Sequence, residues 1–210
     1  MDMASRNNFS INVAVSYGWD SAKKHWGFLI VCILIMIAVN AVPSLLSSML
    51  MTHDRPNIVT FVIQIIGWVL QMAVSLGIIG VALKLYDKKK AVYSNMLDYF
   101  QLIIPYFLGS IIYIVIVVVG LILLVIPGIV WAIKFRYYTY FMVDRRLGPI
   151  DALRASSKIT EGVKWKLFFL GIVLALINLV GALLLLAGLL FTIPLSLMAE
   201  VYVYRKLAGK

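Results

Sequence analysis

The sequence predicts an all-α integral membrane protein with about six transmembrane helices, arranged as three hairpins. Three observations carry that prediction. Of the 210 residues, 63% are hydrophobic and 13% charged, whereas soluble domains are near half apolar and a quarter charged. Uncharged apolar runs longer than 18 residues recur along the chain, and such runs are the signature of membrane-spanning helices. The one cysteine, Cys32, lies inside an apolar run, which argues against a disulfide scaffold. Residues 1–210 are expected to form a single polytopic membrane domain.

The first apolar run, Trp26–Met51, follows a polar segment and carries no charge. It is longer, and starts later, than the roughly 7–15-residue core of a signal peptide, so it reads as a retained span. The polar turn Thr52-His53-Asp54-Arg55-Pro56 joins it to Ile58–Leu83, giving a hairpin over 26–86. Leu102–Ile133 is too long for one helix, and Pro127-Gly128 divides it. A third span near Ile103–Leu124 and a fourth near Val125–Val143 then form the hairpin 103–143. Leu167–Leu195 divides similarly near Ala187-Gly188, with Pro194 close behind, giving a third hairpin over 165–205. At about 1.5 Å per residue, spans of this length cross a hydrocarbon core about 30 Å thick.

A polar segment with helical amphipathic spacing precedes each hairpin. In 10–24, Ile11, Ala14, Val15, Gly18, Trp19 and Ala22 oppose Asn12, Ser16, Asp20, Lys23 and Lys24. In 91–101, continuing into the third span, Val92, Met96, Phe100 and Ile103 oppose Ser94, Asn95, Asp98 and Gln101. In 149–162, Pro149 suits a first helical turn, Gly162 suits a stop, and Asp151, Arg154, Lys158 and Glu161 share one face. Such segments are either solvated helical loops or short helices lying in the membrane interface. Trp26, Tyr106 and Trp165 stand where each would turn into its span. The order of in-plane helix, span, turn and span, three times over, reads as an internal repeat. Phe107-Leu108-Gly109 aligns with Phe169-Leu170-Gly171, and Gly120 with Gly181.

Of the 19 Lys and Arg, all but Arg55, Lys134 and Arg136 fall on one side of this layout. Positive residues mark the cytoplasmic side, so both termini are expected inside. Nearly the whole formal charge of +10 then faces the anionic inner leaflet. Lys23, Lys24, Lys88, Lys89, Lys90, Arg154, Lys158, Lys164 and Lys166 are the candidate headgroup ligands. No nucleic-acid-binding module accompanies the charge.

Lys134, Arg136 and Glu200 are the informative polar residues within the spans. Lys134 and Arg136 follow Pro127 by about 10–14 Å of helix, and Glu200 follows Pro194 at a similar interval. A charge near mid-membrane costs about 2.5–3.5 kcal/mol unless it is paired or snorkels. Three readings stand: both cations snorkel, one pairs with Glu200, or the three line a polar pathway. Asn40, Gln64, Gln71 and Asn178 suit interhelical hydrogen bonds.

Catalytic patterns are absent: the sequence contains no HExxH, CxxC, GxSxG or Walker motif. His25 and His53 fall at span ends on opposite faces and cannot share a metal. No enzyme, metal or cofactor is expected.

Leu123-Leu124-Val125-Ile126-Pro127-Gly128-Ile129 is followed by Gly148-Pro149-Ile150-Asp151-Ala152-Leu153-Arg154-Ala155-Ser156 and then Thr160-Glu161-Gly162-Val163-Lys164-Trp165-Lys166-Leu167-Phe168. This pattern, with Arg136-Tyr137, Met142-Val143-Asp144 and the terminal Glu200-Val201-Tyr202-Val203-Tyr204-Arg205, resembles uncharacterised bacterial multi-pass membrane proteins of unknown function. It is similar to the membrane domain fused to some glycerophosphoryl diester phosphodiesterases, whose catalytic domain has no counterpart here. The resemblance covers roughly 120–205 and implies a bacterial inner membrane, but it brings no catalytic residues.

Two functions from different classes follow. One is a non-enzymatic membrane module whose basic face binds anionic lipids, a membrane protein partner or a second copy of the chain. The other is a small transporter or channel for an anionic solute, using Lys134, Arg136 and Glu200.

Overall fold

A computed structural model describes residues 9–50, 57–184 and 187–209, and the side chains within them except that of Leu97. The chain runs α1 (Ile11–Lys24), α2 (Trp26–Leu50), α3 (Ile58–Tyr86), a 3-10 helix (Tyr93–Leu102), α4 (Ile103–Leu123), α5 (Val125–Lys134), α6 (Tyr138–Arg145), α7 (Pro149–Ile159), α8 (Lys164–Leu183) and α9 (Leu189–Ala208). There is no strand among the described residues. The turn expected at 52–56 lies outside them.

Four stretches are long and apolar enough to cross a membrane: Trp26–Leu50, Ile58–Tyr86, Tyr93–Leu123 and Lys164–Leu183. Their outer faces are apolar and exposed, as at Met49, Ile58, Ile122 and Leu183. So large an apolar surface is stable only in a lipid solvent, which makes this a membrane protein.

The second amphipathic segment differs from its expected α-helical form. It is a 3-10 helix, and its turn closes where Asn95 accepts from the Val92 N–H. Three residues per turn put Met96, Tyr99 and Leu102 on one buried face, while Val92 and Phe100 stay exposed. A period of 3.6 had grouped Val92 and Phe100 with the apolar side.

The stretch read as one fourth span is two short helices, α5 and α6, separated at 135–137. The break from α4 falls at Leu124, which is extended, rather than at Pro127-Gly128. Pro127 sits in the first turn of α5, where a missing N–H costs little. Gly128 serves the crossing instead: a Cβ on Gly120 of α4 would meet the Gly128 Cα at 2.9 Å. Pro194 lies within α9.

α1 rests on α9, where a Cβ on Gly18 would lie 2.5 Å from the Leu195 carbonyl oxygen. Ala14, Gly18 and Ala22 are its buried stripe, and Lys23 and Lys24 are exposed. The first amphipathic segment is therefore docked on protein along its small residues. The densest core surrounds α6 and α9, with Tyr137, Phe141, Met142, Met198 and Tyr204 fully buried. Gln64 donates to Ser47 across α3 and α2, and Asn178 to Ser196 across α8 and α9, both at 3.0 Å.

Candidate functional site: two buried ion clusters beneath a basic face

The break at 135–137 frees backbone groups that must find partners away from water. Helix α7 supplies them. Ser156 Oγ accepts from the Tyr137 N–H at 3.0 Å and donates to the Lys134 carbonyl at 3.0 Å. Thr160 Oγ1 lies 3.0 Å from the same carbonyl. Both side chains are fully buried, on the face of α7 that also buries Ala152 and Leu153. The opposite face carries exposed Asp151, Arg154, Lys158 and, just beyond the helix, Glu161.

This repaired break aims Arg136 sideways. Its guanidinium forms an ion pair with Glu200 of α9. It lies so close over α8 that a Cβ on Gly171 would be 3.0 Å from Nη1. Tyr137 and Tyr140 flank the Glu200 carboxylate. Arg136 and Glu200 thus neutralise each other inside the bundle, which suits a structural clamp. Lys134 stands apart, with its ammonium 5.3 Å from the Phe135 ring centre.

A second cluster gathers Arg205, Asp87 and Asp144, none of them a candidate site residue in the sequence. Arg205 is 2% exposed and bridges Asp87 at 2.7 Å and Asp144 at 2.8 Å. Tyr204 donates to Asp144 at 2.9 Å. These residues lie at the ends of α3, α6 and α9, so one guanidinium ties three helix ends together. The available signal was a carboxylate at the end of each of two apolar segments and an arginine at the end of a third.

Asp87 is also the C-cap of α3. Lys88 follows it in the left-handed conformation, φ 54°, and the Lys89 N–H closes back on the Lys84 carbonyl at 2.9 Å. Anchored by Arg205, the helix end presents Lys88, Lys89 and Lys90 to the exterior, all exposed. Lys24 and His25 border the same cleft. Burial and the Lys24 charge lower the His25 imidazole from its ordinary value.

The remaining headgroup candidates are spread over this exterior. Lys23 approaches Asp20 at 4.0 Å, and Arg154 approaches Asp151 at 3.9 Å, both pairs exposed. Such pairs add little stability. Lys158 and Lys166 are exposed, and Lys164 is half-buried. No group of three or more His, Cys, Asp or Glu able to hold a metal occurs among the described residues.

Uncharacterised proteins of Mycobacterium bovis and of two Mycobacterium tuberculosis strains are 38% identical to this chain over 96 residues. The match covers 43% of this chain and 28% of each relative, so the chain spans under a third of their length. No family model and no solved structure matches.

Proposed function

We propose that the protein is a non-enzymatic membrane module whose basic face binds anionic lipids of the inner leaflet. The observation that carries this reading is where the carboxylates go. Asp87 and Asp144 turn inward onto Arg205, Glu200 turns onto Arg136, and Asp98 holds Lys84 at 3.1 Å. Among the described residues none pairs with Lys24, Lys88, Lys89, Lys90 or Lys158. Asp20, Asp151 and Glu161 also face outward, yet these five lysines have no carboxylate partner among the described residues, and each would add about 1 kcal/mol at an anionic surface.

The topology belongs to the same proposal. α5 with α6, and α9, complete six crossings, with both termini in the cytoplasm of a bacterial cell. The paired approaches of Gly120 to Gly128 and of Gly181 to Gly188 support a repeat of the second and third hairpins, and the first hairpin extends it to three. The likeness to the membrane domain of glycerophosphoryl diester phosphodiesterases rests on the Ile126-Pro127-Gly128 sequence, the Ser156 helix and the Gly162 to Phe168 re-entry. It brings no catalytic residues.

The test is native mass spectrometry from nanodiscs of phosphatidylglycerol and phosphatidylcholine. Changing Lys88, Lys89 and Lys90 to Gln should lower phosphatidylglycerol enrichment, more so at low salt, with the fold intact. Unchanged enrichment would remove the proposal.

A further inference from the structure

We propose that the groove between α5 and α8 holds an acyl chain of one anionic phospholipid, with Lys164 at the phosphate. This deepens the lipid-binding reading and rests on it. Ile126, Ile129 and Ile133 share one face of α5, and Trp165 and Phe168 form the opposing wall on α8. α5 spends its other face on α4, through Gly128 and Trp131 against Gly120, which leaves the isoleucine face free. The groove measures about 420 Å³, within the range of small-ligand sites.

Lys164 is its single charged lining residue, and no carboxylate pairs with it among the described residues. It is half-buried, and a lysine can cover an apolar wall with its methylene stem while its ammonium stays in a polar setting. Trp165 beside it is 73% exposed, as suits an aromatic at headgroup depth. Gly162 at the same mouth has φ +78° and open space where a Cβ would be. An apolar channel ending in one uncompensated cation complements a phospholipid, whose chain is apolar and whose phosphate is negative. The first turn of α8 carries no carboxylate, so the positive end of its dipole favours the same anion.

Native mass spectrometry in the same mixed nanodiscs tests the assignment. The full chain should retain one phosphatidylglycerol through stripping that removes looser lipid. Lys164→Gln should cut the preference for phosphatidylglycerol over phosphatidylcholine about fivefold. Ile129→Trp, which fills the groove, should lose the retained lipid whatever its headgroup. Ile126→Phe, at a position already 74% exposed, is the gentler filling variant if Ile129→Trp fails to fold. The Lys88, Lys89 and Lys90 triple variant should keep this lipid while losing loose enrichment. A wild-type preference in Lys164→Gln, or a lipid still held when the groove is filled, overturns the groove and leaves the broader reading standing. A triple variant with unchanged enrichment beside a defective Lys164→Gln sinks the broader reading alone. A dimer that falls apart in the filled variant would assign the groove to a second copy instead.

Discussion

The guanidinium of Arg205 meets the carboxylate of Asp144 at 2.8 Å, with both side chains almost wholly out of solvent. The same guanidinium holds Asp87, so one cation serves two anions and ties three helix ends. Pairing in a site of low dielectric is strong only while every partner is present. The cluster is therefore a single unit in which the loss of one member strands the others.

Arg205→Met should destabilise the protein by about 3–5 kcal/mol, because two carboxylates remain without a counterion. Adding Asp87→Asn and Asp144→Asn should restore much of that loss. Thermal unfolding in detergent measures both. A single variant with a wild-type midpoint would show that the cluster contributes nothing.

Glu200→Gln should cost about 3 kcal/mol, because it strands the Arg136 guanidinium inside the bundle without its carboxylate. The double variant Arg136→Met with Glu200→Gln should recover most of it, and the double-mutant cycle gives the coupling. Lys134→Met should change little, since its ammonium has no carboxylate partner. If the double variant refolds yet abolishes anion flux into liposomes, the pair belongs to a transport site.

Ser156→Ala removes an acceptor from the Tyr137 N–H and a donor to the Lys134 carbonyl. A buried group left unpaired costs about 1–3 kcal/mol. Thr160→Val alone should cost less, because Ser156 still serves that carbonyl. Together the two should cost more than their sum, as they share one acceptor. Hydrogen exchange at 135–138 should rise in the double variant; protection equal to wild type would mean the break is satisfied in another way.

Single cysteines at Asn57 and Lys90, with Cys32 replaced by Ser, test the topology. A membrane-impermeant thiol reagent should reach position 57 from outside intact cells and position 90 only after the membrane is opened. Labelling of both from one face would discard the arrangement with both termini inside.

The membrane character and most helix limits were legible in the sequence, since apolar run length and local Pro, Gly and capping residues are properties of neighbours. Pro149 opens α7, and Gly162, in the left-handed region, follows its end, because each acts through its own backbone. The exposed faces of α1 and α7 followed from their polar spacing for the same reason. Only the tertiary structure decided which charges meet. Glu200 takes Arg136 and not Lys134 because the break at 135–137 turns the chain, and that break exists because Ser156 and Thr160 arrive from α7 to satisfy it. Arg205 finds Asp87 across 118 positions of sequence, a distance over which periodicity carries no information. The 3-10 register of Tyr93–Leu102 was hidden likewise: periods of 3.0 and 3.6 overlap over so short a segment, and packing against α3 selects between them.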